Sequence, residues 1–554
     1  MPALSLSVER VSRLIGRDLT PKDVAELSAA LGLSVEEVVE NEVRVEYNPN
    51  RPDFGSHVSL ARYFKGLLGL ELGSKRYTAL SSDIRVQVEE SVEKVRPYIV
   101  CAVVRSLNLS EEDIADLITL QEDLHWVLGR DRRKVAIGLH DNTKVRPPLT
   151  YKAVGLTEIS FIPLGAYREM TPLQILSEHP TGRKYSWILE GKEAAPIILD
   201  SRGNVLSFPP IINGSLTELR PQANEVFIDV TGTDQKAINQ ALNIIVTTLV
   251  DLGGKAYKTL ISYQGRRRRR VYTPDLSPSR WVLDPKWASS LIGVELTSRE
   301  IVKALRRMRL NAKARGGKVL AEVPPYRVDI LHPVDLVEEV AIGLGYQSLE
   351  PLLPETPGEG LLLQSTRISS LIRVVMLGLG FTEVVNTTLS NSQRDFAWMR
   401  LKTEPRVKIL NPISALYDSL RELLSPGLLS NLALNSKNPY PQRLFELGDV
   451  LVRDDSLPER TRREMHLAFV TCHSGASFSE VKAVLEEILL HLDISAGLEA
   501  REYPFYIPGR SAAVMKEGVE VGFIGEIHPE VLENFGVYMP VAGCELNLRL
   551  AGVL

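Results

Sequence analysis

The segment YRVDILHPVDLVEEVAIGLGY, residues 326–346, contains four carboxylates within eleven residues: Asp329, Asp335, Glu338 and Glu339. The last three have the spacing i, i+3 and i+4, which places them on one face of a helix. His332 and Pro333 turn the chain ahead of that helix, so Asp329 can fold back over its first turn. Because like charges repel at short range, this cluster should be offset by a metal ion, a helix N-terminus or water.

The residues alone leave two interpretations of this cluster open. Carboxylate oxygens are ligands that suit magnesium or calcium, and no Cys/His cluster is available for zinc. Alternatively, acids in a first helical turn complement the helix dipole, which contributes about 0.3–1 kcal/mol for each side chain. The dipole accounts for one or two acids more easily than for four.

The composition is that of an ordinary globular protein. The chain has 554 residues, too many for one hydrophobic core, so about three to five domains are expected. It is 44% hydrophobic and 24% charged, which is typical of soluble proteins. The net charge of −4 argues against general binding of polyanions, so nucleic-acid binding would require local basic patches.

The cysteines and the hydropathy pattern predict a cytoplasmic location. The three cysteines, Cys101, Cys472 and Cys544, are far apart and form no CxxC motif. They therefore favour a reducing compartment over a disulfide framework or a zinc site. The N-terminus does not resemble a signal peptide, and no apolar run reaches the roughly 18 residues of a membrane span.

Proline-rich and charged segments predict four domains: 1–92, 93–264, 272–352 and 361–554. Within the second domain, helices centred on 111–128 and 236–252 bracket several strands. The third domain is helix-rich, and the fourth mixes strands with amphipathic helices. The predicted fold class is therefore α+β multidomain.

The segment PPYRVDILHPVDLVEEVAIGLGY resembles the magnesium-binding segment of phenylalanyl-tRNA synthetase β subunits, in which an RxDI strand end precedes DLxEE and GY. Further segments resemble that family in order and spacing: NPNRPDFGSHVSLARYFKGLLGL, DVTGTD (229–234), LGFTEVVNTTLS (379–390), RELLSPGLLSNLALN (421–435), RLFELGDV (443–450) and IPGRSA (507–512). The chain length is similar to that of the archaeal and eukaryotic type. The resemblance implies four magnesium ligands: Asp329, Asp335, Glu338 and Glu339.

The resemblance also implies the activity and the partners. It implies a ligase that attaches phenylalanine to tRNA(Phe) together with an α subunit, as an α2β2 heterotetramer. ATP would be a substrate of the assembled enzyme, magnesium its metal, and tRNA(Phe) its nucleic-acid partner; no membrane partner is expected.

The last domain resembles the antiparallel-sheet core of a class II synthetase that lacks the catalytic motifs. In RLFELGDV, Glu446 directly follows Phe445, so the motif arginine expected between these two positions is missing. In addition, GFIGEIHPE is not followed by GxGxxxR. Arg443 and Arg510 could be remnants of ATP-binding residues, or plain ion-pair residues. The resemblance therefore implies a scaffold, with the synthetic active site in the α subunit.

The domain 93–264 resembles the editing domain of the family, which hydrolyses mischarged Tyr-tRNA(Phe). Such a second site is needed because an apolar phenylalanine pocket rejects an added hydroxyl poorly. The candidate editing residues are His140, Leu206, Asn213, Ser215, Asp229 and Thr231. Asp229 or Thr231 would accept from the phenol, Leu206 would form an apolar wall, and His140 would position water or contact the ribose.

The segment Asn213–Ser215 would hold the ester and a water through its backbone donors. For each of these editing candidates, the alternative is an ordinary turn or strand-end residue.

The five arginines Arg266, Arg267, Arg268, Arg269 and Arg270 are candidate tRNA contacts. The alternative is a solvated strand between domains. The segment RPDF at residues 51–54 is expected to be a structural turn at a subunit contact. Two rival functions remain: a metal-dependent phosphoryl-transfer enzyme, and a stand-alone tRNA-binding or editing protein.

Overall fold

The computed structural model describes residues 2–265, 268–353, 358–402 and 407–553. The chain forms two compact units, residues 1–353 and 354–554. Both units mix helices with sheets, so the expected multidomain combination of α and β structure is confirmed. In the part of the chain that the structure describes, no helix is long and apolar enough to cross a membrane.

The first unit begins with a three-stranded sheet of order β1-β3-β2. Its elements are β1 (Ala3–Ser7), α1 (Val8–Ile15), α2 (Pro21–Ala30), β2 (Ser34–Val39), β3 (Glu42–Glu46) and α3 (His57–Leu67). The turn NPNRPD ends in a short 3-10 helix, Pro52–Phe54, shortly before α3. Its prolines restrict the backbone, and both Arg51 and Asp53 are buried there.

A ten-stranded sheet follows, with the order β10-β9-β8-β7-β4-β12-β5-β11-β6 and with β13 paired to β12. Its strands are β4 (Ala79–Val88), β5 (Tyr98–Arg105), β6 (Val135–Asp141), β7 (Leu149–Gly155), β8 (Ala194–Leu199), β9 (Val205–Phe208), β10 (Ile212–Asn213), β11 (Glu225–Gly232), β12 (Lys255–Tyr263) and β13 (Arg269–Thr273). Its helices are α4 (Glu111–Val127), α5 (Pro172–Glu178), α6 (Pro180–Tyr185) and α7 (Gln235–Asp251). Helices α4 and α7 confirm the two predicted helical segments. Strand β6 lies at the end of the sheet, where α4 packs against it.

The first unit ends with a three-stranded sheet of order β14-β16-β15 and three helices. The elements are β14 (Ser279–Leu283), α8 (Pro285–Ile292), α9 (Ser298–Arg307), β15 (Asn311–Arg315), β16 (Lys318–Val323) and α10 (Pro333–Leu344). Helix α10 begins as the sequence predicts, because His332 caps its N-terminus and Pro333 occupies the first turn. One apolar core joins the sheet to the helices.

The second unit is built on a seven-stranded sheet of order β17-β20-β21-β25-β24-β23-β22. Its elements are α11 (Gln364–Gly378), β17 (Thr382–Glu383), β18 (Leu389–Ser390), β19 (Ser419–Leu420), α12 (Ser425–Leu434), β20 (Gln442–Arg453), β21 (Thr461–Cys472), α13 (Phe478–His491), β22 (Gly497–Ala500), β23 (Tyr506–Lys516), β24 (Val519–Ile527), α14 (Pro529–Phe535) and β25 (Val541–Asn547). All its neighbouring strands are antiparallel except β17 and β20. Residues of β21 alternate between two cores, with Leu467 in one and Ala468 in the other, so both faces of the sheet are covered.

Candidate functional site

A pocket of about 320 Å³ lies in the first unit, beside the edge strand β6. Helix α4 supplies one wall through residues that share a helical face: Ile114, Ile118, Gln121, Glu122 and His125. The segment 207–219 lines the pocket as well, together with residues of β6 and Asp229 of β11. The pocket therefore combines apolar walls with a few polar groups, which is typical of a small-molecule site.

Asp229 is held in this pocket by a buried chain of hydrogen bonds. His140 Nε2 lies 2.8 Å from Asp229 Oδ2, and His140 Nδ1 lies 2.7 Å from Thr217 Oγ1. A neutral imidazole that donates from Nε2 to the carboxylate accepts the Thr217 hydroxyl proton at Nδ1. Among the described residues, Asp229 Oδ1 has no hydrogen-bond partner, so one carboxylate oxygen stays available to a ligand.

Gly138 makes room for this arrangement. It lies opposite Asp229 in the antiparallel pairing of β6 and β11. A Cβ atom at position 138 would lie 2.1 Å from Asp229 Oδ2 and 2.7 Å from His140 Nε2. Any larger residue would displace one of these two side chains.

A second set of polar groups forms around Glu122 on α4. Glu122 Oε1 lies 3.2 Å from His125 Nδ1 and 2.7 Å from Arg132 Nη2. His125 Nε2 accepts from the Ile137 amide at 2.8 Å, and Arg132 Nη1 donates to the Ile211 carbonyl at 2.9 Å. Partial burial opposes ionisation of Glu122, but the hydrogen bond from His125 and the nearby Arg132 outweigh it and lower the pKa of Glu122 to about 2.

Arg132 reaches the pocket from an unusual backbone segment. Arg130, Asp131 and Arg132 all have positive φ, at 48°, 53° and 65°. Three successive non-glycine residues in the left-handed region are costly, and they persist only where surrounding contacts hold them. The buried Arg96 provides one such contact, because its Nη1 donates to the Arg133 carbonyl at 3.1 Å.

The acidic segment 326–346 is organised by an arginine rather than by its own carboxylates. Arg327 donates to Asp329 from Nε at 2.8 Å and from Nη2 at 2.6 Å. It also donates to Glu339 from Nη1 at 2.9 Å and from Nη2 at 2.7 Å. The Arg327 side chain is 0% exposed, so these two forked pairs are fully shielded from water.

Arg51, from the turn NPNRPD, completes this buried network. It donates to both oxygens of Asp53 at 3.0 Å, and its Nη1 lies 3.5 Å from Glu339 Oε1. Its Nε lies 3.9 Å from Asp329 Oδ2. Its guanidinium also lies 3.7 Å from the centre of the Phe54 ring, a cation–π contact. Two sequence motifs that lie far apart in the chain thus meet in one cluster.

The other two carboxylates of the segment have different surroundings. Asp335 Oδ2 accepts from the Leu331 and His332 amides, each at 2.7 Å, and so caps the helix. Glu338 is the exposed member of the four, but its carboxyl is still partly desolvated, and this desolvation together with the neighbouring Glu339 raises its pKa.

This arrangement does not fit a four-ligand magnesium cage. Asp329 and Glu339 are bound by arginines, and Asp335 is committed to the helix N-terminus. Among the residues that the structure describes, no group of three or more His, Cys, Asp or Glu side chains could hold a metal ion. Magnesium at these four residues therefore stays a prediction of the family resemblance.

Comparisons with known proteins identify the family. Residues 349–548 match the family model described as phenylalanyl tRNA synthetase beta chain CLM domain, and residues 281–346 match the tRNA synthetase B5 domain. The chain is 40% identical to the phenylalanine–tRNA ligase beta subunit of Archaeoglobus fulgidus, over 99% of this chain and 98% of that relative. It is also 40% identical to the beta subunit of Methanothrix thermoacetophila, over 99% of this chain and 100% of the relative.

The chain belongs to the family of phenylalanine–tRNA ligase β subunits. A solved N-terminal fragment of the phenylalanyl-tRNA synthetase beta subunit from Pyrococcus horikoshii superposes with a TM-score of 0.59 at 36% identity. The superposition covers 62% of this chain and 99% of the fragment. The family resemblance that the sequence motifs indicated is thereby confirmed.

The predicted editing residues of this β-subunit family member fall into two groups. Asn213 and Asp229 line the pocket, whereas His140 lies outside the lining and contacts Asp229 Oδ2. Leu206 is fully buried in the core. Thr231 is also buried, and its hydroxyl accepts from Arg96 Nε at 2.9 Å.

Ser215 is only partly buried, but the backbone donors expected near it are engaged. The Gly214 amide donates to the Leu206 carbonyl at 2.8 Å, and the Ser215 amide donates to the Ile162 carbonyl at 2.9 Å. The Asn213 side chain accepts from the Ser207 hydroxyl at 3.0 Å, which leaves its amide nitrogen as the donor of this segment.

Several residues of the pocket are not predicted by the sequence motifs: Glu122, His125, Arg132, Ser207 and Thr217. The spacing of Glu122 and His125, at i and i+3 on a predicted helix, is the one signal that could have identified the pair.

The arginine run lies partly outside the described residues, which exclude Arg266 and Arg267. Arg268, Arg269 and Arg270 are exposed. Arg269 donates to Gln235 Oε1 at 2.7 Å, and its guanidinium lies 4.7 Å from the centre of the Tyr263 ring. A contact of this run with tRNA stays a prediction.

In the second unit, the two arginines considered as remnants of ATP binding form ion pairs. Arg443 lies 3.0 Å from Glu480, and Arg510 lies 2.6 Å from Glu526. The motif glutamate Glu446 is buried and accepts from Arg421 Nη1 at 2.6 Å.

Proposed function

We propose that this chain is the β subunit of a cytoplasmic phenylalanine–tRNA ligase and assembles with an α subunit in an α2β2 heterotetramer. The assembled enzyme attaches phenylalanine to tRNA(Phe), with ATP as its substrate and with magnesium. The support is the 40% identity to named β subunits over nearly the whole chain.

In this proposal the second unit is a class II synthetase-like scaffold without its own synthetic site. The absent motif arginine in RLFELGDV and the ion pair between Arg421 and Glu446 support this role. An exposed apolar stripe on α11 supports docking of the α subunit there. Leu371, Val374 and Leu377 recur at i, i+3 and i+6 and are 40%, 68% and 59% exposed.

The pocket of the first unit is the proposed editing site for mischarged Tyr-tRNA(Phe). The main support for this proposal is the carboxylate of Asp229, which His140 holds through Oδ2. Oδ1 can accept the phenol proton of a tyrosyl group, whereas phenylalanine offers nothing at that point. A pocket that hydrogen-bonds a hydroxyl discriminates strongly against the analogue that lacks it, because the acceptor is then left unpaired.

Reconstitution with the α subunit tests both parts of the proposal. The assembled enzyme should charge tRNA(Phe) and should hydrolyse Tyr-tRNA(Phe) faster than Phe-tRNA(Phe). Asp229→Ala should abolish the preference for Tyr-tRNA(Phe) over Phe-tRNA(Phe) and leave charging intact. Ser215→Ala tests whether Ser215, the other candidate in the segment 213–215, takes part in editing. A chain that never captures an α subunit would contradict the ligase role, and unchanged deacylation in Asp229→Ala would remove this residue from the site.

A further inference from the structure

The pocket contains a second fixed carboxylate, Glu122, which the proposed editing chemistry does not use. Its Oε1 accepts from both His125 and Arg132. Within the described part of the chain, Oε2 has no hydrogen-bond partner, and the side chain is 47% exposed. Glu122 thus presents one free oxygen to the pocket, as Asp229 does.

The two partners of Glu122, His125 and Arg132, are held in place more firmly than the partners of an ordinary ion pair on a helix surface. His125 is buried, and because its Nε2 accepts from the Ile137 amide, the neutral ring can donate only from Nδ1 towards Glu122. Arg132 is fixed on its other side by the Ile211 carbonyl and by the Tyr185 ring, 4.3 Å away. An exposed ion pair ordinarily loses entropy in holding two mobile side chains together, whereas both partners of Glu122 are already held by other contacts. Fixed polar groups of this kind are typical of recognition sites.

The charge of the pocket selects the kind of ligand. Its lining includes three carboxylates, Glu122, Glu218 and Asp229, and one guanidinium, that of Arg132. Arg220 pairs with Glu218 at 2.8 Å, so these side chains together keep a net negative charge. His125 adds no charge near neutral pH, because burial lowers its pKa. Such a pocket attracts a cation and repels a carboxylate or a phosphate. An aminoacyl ester fits this charge pattern, since its carboxyl group is neutral and its α-amino group is a cationic donor.

We propose that Glu122 binds the free α-amino group of the aminoacyl ester. This inference rests on the proposed editing function and assigns a second specificity to the same site. Asp229 selects the side chain, whereas Glu122 selects an unblocked amino terminus. An N-acylated ester, such as a peptidyl-tRNA, offers a neutral amide in place of the cation and leaves Glu122 without its partner. His125 acts as a positioning residue that holds the carboxylate from behind.

The test compares Tyr-tRNA(Phe) with chemically prepared N-acetyl-Tyr-tRNA(Phe) as substrates of the enzyme reconstituted from its α and β subunits. The wild type should hydrolyse the free-amino substrate at least about ten-fold more efficiently in kcat/KM, which corresponds to the loss of one charge-assisted hydrogen bond. Glu122→Gln should lower hydrolysis of Tyr-tRNA(Phe) and leave that of the acetylated substrate unchanged, so that the ratio approaches one. Glu111→Gln, an exposed carboxylate on the same helix, is the matched control and should keep the wild-type ratio.

His125→Asn tests the positioning role separately. It should reduce the preference between the two substrates in the same direction as Glu122→Gln, while aminoacylation by the same preparation shows that the enzyme is assembled. A wild-type ratio retained in Glu122→Gln, or equal hydrolysis of both substrates by the wild type, would overturn this inference alone. Absence of Tyr-tRNA(Phe) hydrolysis by the wild type would overturn the editing proposal, and this inference with it.

Discussion

Two acidic regions of the first unit differ in how completely their carboxylates are paired. In the cluster around Arg327, both oxygens of Asp329 and both oxygens of Glu339 accept from guanidinium groups. In the pocket beside β6, Asp229 has one oxygen bound by His140 and the other without a protein partner among the described residues. The fully paired carboxylates stabilise the fold, whereas the half-paired one is available for recognition.

The acidic motif that first suggests a metal is instead neutralised by arginines. Asp329 and Glu339 receive their positive charge from Arg327 and from Arg51 of a distant turn. This network joins the N-terminal part of the first unit to its last helix, α10, through side chains alone.

The largest expected effect comes from breaking the paired cluster. Arg327→Met leaves Asp329 and Glu339 buried without their principal cation, and breaking a buried pair costs about 3–5 kcal/mol. Chemical denaturation should show a loss of this size in the free energy of unfolding. Arg280→Met is the control, because Arg280 is 82% exposed and its pair with Glu322 contributes no more than about 1 kcal/mol. Equal stabilities of the two variants would contradict the assignment of the cluster to the fold.

A paired cluster in the second unit predicts a pH dependence that extends the comparison. His466 lies 2.8 Å from Glu545, and although burial opposes its charge, Glu464 and Glu545 raise its pKa to about 9. Its contribution to stability is therefore complete below its unfolded pKa of about 6.5 and is lost as the pH rises through about 9.

Glu464 behaves in the opposite sense. The neighbouring His466, whose Nε2 lies 3.7 Å from Glu464 Oε2, is the main cause that lowers the pKa of Glu464 to about 2. Its contribution to stability is present above the unfolded pKa of about 4.3 and is lost as the pH falls towards 2.

Thermal melting between pH 6 and pH 10 tests the contribution of His466. The melting temperature should fall on the alkaline side, and this fall should be smaller in His466→Gln. An identical alkaline fall in both proteins would exclude His466 as its cause.

The smallest expected effect is that of magnesium on the acidic segment. An ion bound only to the folded state stabilises it by about 2.7 kcal/mol at a concentration one hundred times its Kd. Because arginines already neutralise Asp329 and Glu339, we expect the unfolding free energy of the isolated chain to be the same in magnesium and in EDTA. A stabilisation by magnesium that Glu338→Gln abolishes would restore the metal interpretation.

The local features of the acidic segment could be predicted from its sequence. The spacing of Asp335, Glu338 and Glu339 predicts one helical face, and Pro333 predicts where α10 begins; both follow from backbone geometry over a few residues. The contact of Arg51 with Glu339 spans 288 residues of sequence, so no local pattern contains it.

The pocket shows the same limit. Asp229 and His140 were both candidates, but their pairing depends on the register of β11 against β6, which a single sequence does not reveal. Glu122 was not a candidate because an acidic residue on an amphipathic helix is ordinarily solvated. Only the packing of α4 against β6 brings it to the pocket.

One pair of variants tests the central claim, that half-paired carboxylates recognise substrate and fully paired ones stabilise the fold. Asp229→Asn and Asp329→Asn make the same chemical change, and both can be measured in the reconstituted enzyme for Tyr-tRNA(Phe) deacylation and for unfolding free energy. We predict that Asp229→Asn lowers deacylation at least about 10²-fold and changes stability by no more than about 1 kcal/mol. Asp329→Asn should instead cost about 3 kcal/mol or more and leave deacylation by the folded enzyme unchanged. The reverse pattern, or the same pattern in both variants, would contradict the account.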